Sequence, residues 1–136
     1  MTTIIAGPCV IESVDSFVRF ADDLVRLFER FPAFKLVYKG SFDKANRTRQ
    51  GSPRGVGLVE AEVAWYKLRQ IHPTLSITTD IHESWQAAVA ANWCDVLQIP
   101  AMLGRQTPLL NAAAATGVTV NLKKPVWEGP GFFADA

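Results

Sequence analysis

The sequence predicts an α/β protein made of successive βα units, and three observations carry that prediction. Short β-branched apolar runs alternate along the chain with segments of helical period. Polar residues of the predicted strands sort onto one face by parity. No Gly-x-Gly-x-x-Gly turn follows the first strand, which favours barrel topology over a doubly wound sheet.

The first strand runs from Thr3 to Ala6 and closes at Gly7-Pro8. Ser13 then caps a helix whose apolar face reads Val14, Phe17, Val18, Ala21, Leu24, Val25 and Phe28. A second strand, Phe34 to Ser41, enters a polar loop from Phe42 to Gly57, after which Ala61, Ala64, Trp65, Leu68 and Ile71 share one helical face. Strand three is Leu75 to Asp80, and Ser84 caps a short helix through Trp93. Strand four is Val96 to Ala101. Thr107-Pro108 is an N-cap followed by proline at the first helical position, and Gly117 stops that helix. Strand five is Val118 to Lys123.

Parity puts Lys39 and Ser41, then Ser76, Thr78 and Asp80, then Gln98, then Asn121 and Lys123 on one face of the four later strands. Leu36, Tyr38, Ile77, Leu97, Ile99, Val118, Val120 and Leu122 take the other. Apolar groups toward covering helices, with polar groups gathering at the carboxyl ends of strands, is how a βα barrel builds a site at one mouth.

Composition narrows the function classes. Fourteen Lys and Arg against thirteen Asp and Glu leave a formal charge of +1, with no basic excess for nucleic acid or membrane surfaces. Two cysteines give no disulfide framework, no charged start followed by an apolar run marks a secretory signal, and a reducing, cytoplasmic setting is expected. No run approaches the roughly 18 apolar residues of a membrane span.

The densest chemical signal is Lys39, Lys44 and Arg47 at the end of strand two, with Ser41, Asn46 and Thr48 as further hydrogen-bond donors. Arginine bonds phosphate in pairs and lysine adds a compact charge, so the group suits a phosphorylated substrate; a solvated basic loop is the competing reading. Arg105 and Lys123 add cations near later strand ends. Asp80 suits proton handling or holding a metal-bound water, or else caps the next turn or pairs with a nearby lysine. Cys9 is either a thiolate metal ligand or a small buried cysteine, and Cys94 reads as the latter. His82-Glu83 does not continue to His-Glu-x-x-His, because Gln86 holds the last position. His72 reads as a loop residue, and Trp65 and Trp85 as packing residues. Neither Gly-x-Ser-x-Gly nor a phosphate P-loop occurs.

Several separated blocks, in order, resemble one family. They are Ala6-Gly7-Pro8-Cys9 with Glu12-Ser13, Ser41 to Arg47, Arg54-Gly55 with Gly57-Leu58, Thr79 to Glu83, Gln98 to Ala101 with Arg105 to Thr107, and Asn121 with Lys123-Lys124-Pro125. Together they resemble the 3-deoxy-D-manno-octulosonate 8-phosphate (KDO-8-phosphate) synthases from Ile4 to about Gly131. The resemblance implies a (β/α)8 TIM barrel that condenses phosphoenolpyruvate with arabinose 5-phosphate in lipopolysaccharide synthesis and releases phosphate. It implies that Lys39, Ser41 and Lys123 hold phosphoenolpyruvate, and that Lys44, Asn46, Arg47 and Thr48 bind the aldose phosphate with Lys44 near the reacting carbonyl. Gln98, Pro100 and Ala101 would form the floor, and Asp80 would lie near the attacking water. Arg105 would reach a neighbouring subunit's substrate in a homo-oligomer, a tetramer.

Cysteine at position 9 resembles the family's metal-dependent branch, which implies a divalent ion; the family's remaining ligands are a histidine, a glutamate and an aspartate from later strands. Val126 stands where the family has glutamine, Thr48 where it has serine, and Met102 where it has phenylalanine; Gly51 and Pro53 replace a histidine and an aromatic residue. The related synthase that makes 3-deoxy-heptulosonate 7-phosphate (DAHP) from erythrose 4-phosphate shares the Gly-Pro-Cys strand end. It carries Lys-Pro-Arg-Thr where this chain has Lys44-Ala45-Asn46-Arg47. A barrel takes about 250 residues, so residues 1–136 are expected to be the amino-terminal part of one barrel domain, about its first five βα units. A truncated, non-catalytic relative is the alternative.

Overall fold

In the computed structural model, which describes residues 1–134, five parallel strands lie side by side in chain order. They are β1 (Thr2–Val10), β2 (Phe34–Ser41), β3 (Ser76–Asp80), β4 (Val96–Ile99) and β5 (Thr119–Leu122). Four helices alternate with them: α1 (Val14–Glu29), α2 (Leu58–Ile71), α3 (Ser84–Ala90) and α4 (Thr107–Ala115). A doubly wound sheet reverses its strand order at a switch point. This sheet never does, and consecutive parallel βα units make it part of a (β/α)8 TIM barrel.

The one-sided core follows from strand parity. Leu36, Tyr38, Ile77, Leu97 and Ile99 are buried with Phe17 and Ala21 of α1, Ala61, Trp65 and Leu68 of α2, Ala87 of α3, and Leu109 and Ala113 of α4. Tyr38 donates its hydroxyl to the Phe17 carbonyl at 2.7 Å, which satisfies a polar group inside that core. All seven apolar positions expected on α1 are buried or pack against this cluster. On α2, Ile71 departs from expectation and is exposed. Trp85, expected to pack, is 62% exposed.

β1 extends beyond its expected end because Gly7-Pro8 forms a bulge rather than a stop. Ala6 pairs with Tyr38 and Cys9 with Gly40, so β1 carries one extra residue. A side chain at position 7 would put Cβ 1.9 Å from the Lys39 carbonyl oxygen, so only glycine fits there. Pairing then resumes through Val10 opposite Ser41.

The cap expectations shift by one residue twice. α1 starts as read, with the Ser13 hydroxyl accepting from the Ser16 N–H at 3.2 Å. On α3 the N-cap is Glu83 rather than Ser84, because Glu83 and Gln86 form a reciprocal capping box. The helix ends at Ala90, short of Trp93. Gln106, not Thr107, precedes α4, so Pro108 lies one step further inside the first turn. β4 ends at Ile99 because Pro100 has no N–H for the ladder and leads into a 3₁₀ turn over Ala101–Leu103. β5 ends at Leu122, although the Lys123 N–H still reaches the Ile99 carbonyl at 3.1 Å.

Candidate functional site

A row of polar side chains crosses four strands on the face opposite the helices. Lys39 on β2 donates to Asp80 Oδ2 on β3 at 2.9 Å. The Gln98 amide on β4 donates to Asp80 Oδ1, and the Asn121 amide on β5 donates to Gln98 Oε1 at 2.8 Å. Asp80 lies opposite Gln98 and Gln98 opposite Asn121, so backbone pairing alone brings these side chains into line. Lys39 and Asp80 are each 15% exposed and Gln98 4%. A largely desolvated pair of opposite charges, with the second carboxylate oxygen taken up by Gln98, is held in one geometry. Of the roles open for Asp80, the lysine pairing is the one present here.

The β2–α2 loop carries the cations above this row. Arg54 grips Asp43 through two nitrogens, at 2.8 and 2.5 Å, and the Lys44 N–H donates to the Arg54 carbonyl at 2.6 Å. The Asp43 carboxylate holds the guanidinium of Arg54 even further above neutrality than usual. Arg47 donates from Nε to the Pro53 carbonyl at 3.0 Å. Lys44 is half-buried, while Asn46, Arg47 and Thr48 are exposed. Ser41 is buried and donates to the Asp43 carbonyl at 2.6 Å, so it shapes the loop it enters. The clamp between Asp43 and Arg54 was not read from the sequence. An acid and a base eleven residues apart in an aperiodic loop give no spacing signal.

Under the loop, Phe42 packs edge-on to Trp65 and to His82, with ring centroids 6.3 and 5.8 Å apart. Burial lowers the His82 imidazole below the usual histidine range, and it outweighs the opposing pull of Asp43, Asp80 and Glu83, while Arg54 adds to the lowering. His72 caps the end of α2 and its Nε2 lies 2.6 Å from Asp22 on α1, which ties the two helices together.

Other expected site residues lie around the same strand ends. Pro100 and Ala101 are half-buried at the start of the turn after β4. Arg105 donates to Glu128 at 2.8 Å and lies over the Phe132 ring at 5.2 Å. This hydrogen bond holds the Glu128 carboxyl below its ordinary range. Lys123, expected to point inward as part of β5, instead lies just past the strand and is exposed, because pairing ends at Leu122. Its neighbour Lys124 is tied to the carbonyls of Pro125 and Glu128, each at 2.7 Å.

Cys9 is exposed rather than a small buried cysteine, and its φ of 70° is unusual for a residue with a side chain. Cys94 is buried, and burial pushes its thiol well above the usual range, as suits an inert packing residue. No three His, Cys, Asp or Glu among the described residues are grouped as a metal set. Cys9 on its own therefore does not make a metal centre.

Parallel βα units with polar and cationic groups at the carboxyl ends of their strands define a barrel protein with a polar, charged mouth. Residues 1–128 match the DAHP synthetase I family, and the chain belongs to it. It is 48% identical over 128 residues to the 2-dehydro-3-deoxyphosphooctonate aldolase of Synechococcus sp., covering 94% of this chain and 44% of that protein. The proteins of the same name from Cyanothece sp. and Rhizobium meliloti are 46% and 47% identical, over 93% and 94% of this chain and 46% and 45% of theirs. The chain thus spans less than half the length of these curated relatives.

Proposed function

We propose that this chain supplies the phosphoenolpyruvate and aldose-phosphate contacts of a KDO-8-phosphate synthase. The observation that carries this reading is the Lys39–Asp80–Gln98–Asn121 row lying at the strand ends from which the Lys44 to Thr48 loop departs. The names of the curated relatives support it. In the reaction, a bond forms between C3 of phosphoenolpyruvate and the aldehyde carbon of arabinose 5-phosphate, water adds at C2, and inorganic phosphate leaves. Lys39 and Lys123 would bind the carboxylate and phosphate of phosphoenolpyruvate, with Ser41 fixing the loop beside them. Asn46, Arg47 and Thr48 would hold the aldose phosphate, and Lys44 would stabilise charge growing on the aldehyde oxygen. Gln98, Pro100 and Ala101 form the floor, and Asp80 orients Lys39 and the attacking water.

The product serves lipopolysaccharide synthesis, which fits a cytoplasmic setting; among the described residues no helix is long and apolar enough to cross a membrane. Arg105 is assigned to a neighbouring subunit's substrate, which calls for a homo-oligomer, a tetramer by the family resemblance, and requires Arg105 to leave Glu128. A divalent metal with Cys9 as one ligand is part of the proposal, but the described residues do not complete its ligand set and no step is routed through it. The test is phosphate release from phosphoenolpyruvate by the protein that carries this chain. Release only with arabinose 5-phosphate, and loss of release with a chelator, is expected. Equal rates with erythrose 4-phosphate would replace this reading with the DAHP one.

A further inference from the structure

Asn121 ends the polar row, and the chemistry of the row gives it a task. A carboxylate only accepts hydrogen bonds, a lysine ammonium only donates, and a primary amide does one at each end. Asp80 accepts from Lys39 and from the Gln98 nitrogen, so the Gln98 carbonyl must face β5. With Gln98 buried, that carbonyl needs a donor from the protein, and Asn121 Nδ2 provides it at 2.8 Å. The opposite amide orientation would set the Gln98 carbonyl against the Asp80 carboxylate, two acceptors with no proton between them.

We propose that Asn121 is a positioning residue that fixes which end of the Gln98 amide faces Asp80, and through Asp80 keeps Lys39 aimed at the substrate anion. This rests on the reading of the mouth as a phosphoenolpyruvate site. Asn121→Asp keeps the size of the side chain and exchanges its donor for an acceptor, so Gln98 must turn its nitrogen toward β5. Asn121→Leu removes the donor without adding charge.

Both variants are made in the protein that carries this chain, with Gln98 either native or replaced by Leu. Asn121→Asp is expected to raise KM for phosphoenolpyruvate about tenfold and leave KM for the aldose phosphate within about twofold, the pattern of lost orientation at one substrate. In the Gln98→Leu background the same change is expected to add less than about twofold, because the route through Gln98 is already gone. An equal loss in both backgrounds, or a parallel loss for both substrates, overturns the proposal. The Gln98 side-chain amide, labelled with ¹⁵N and assigned by its absence in Gln98→Leu, gives a readout independent of activity. It is expected to move in Asn121→Asp and Asn121→Leu, and an unmoved signal in either folded variant overturns the proposal. A wild-type protein that ignores phosphoenolpyruvate would sink the functional reading, and the amide signal would still decide whether Asn121 orients Gln98.

Discussion

Two single residues carry sharp consequences. Gly7 lets β1 pass the Lys39 carbonyl, where a Cβ would sit at 1.9 Å. Gly7→Ala is expected to destabilise the protein by about 3 kcal/mol, the upper range for forcing atoms into a packed site, and urea unfolding measures it. His82 makes stability depend on pH. Its folded pKa lies below the unfolded value of 6.5, mainly through burial, despite the opposing charges of Asp43, Asp80 and Glu83. The unfolded chain therefore binds the proton more readily, so the contribution is full above pH 6.5 and is lost as pH falls from there through the lowered folded value. Urea midpoints at pH 7.5 and 5.5 are expected to differ less in His82→Phe than in wild type; an unchanged difference would remove His82 from the account. The sequence signalled neither effect clearly. Gly7-Pro8 reads as a stop because a bulge leaves no trace in parity, and the burial of His82 depends on Phe42 arriving from another unit.

At the scale of elements, periodicity located all five strands and four helices, since each buries one face and must repeat its apolar residues to do so. Boundaries moved where a local contact competes: the Glu83–Gln86 box displaces the Ser84 cap, and Pro100 cuts β4 short. The β2–α2 loop was legible as a cation cluster, but not as a folded one. Its shape comes from Asp43 and Arg54 meeting across it. The Arg54 side chain is 60% exposed, so Arg54→Ala is expected to leave the thermal midpoint nearly unchanged. It frees the segment that presents Lys44 and Arg47, and KM for the aldose phosphate is expected to rise about fivefold through lost preorganisation. A clear fall in thermal midpoint with unchanged KM would show that the clamp serves stability alone.

For the whole molecule, parity on separate strands was enough to foretell a shared polar face, because parallel pairing turns side-chain alternation into rows. The links within the row could not be read, since register is set by packing between units far apart in sequence. Arg105 meeting Glu128 and Phe132 is a further case: it joins residues more than twenty positions apart through a segment without period. The proposed function divides the labour, with phosphoenolpyruvate on the sheet and the aldose phosphate on the loop. Steady-state phosphate release by Lys39→Met and Arg47→Ala, each measured with the other substrate saturating, tests it most directly. The account predicts that Lys39→Met raises KM for phosphoenolpyruvate and Arg47→Ala raises KM for arabinose 5-phosphate, each by about tenfold or more with the other KM little changed. A reversed pattern, or an equal effect of both variants on both substrates, would contradict it.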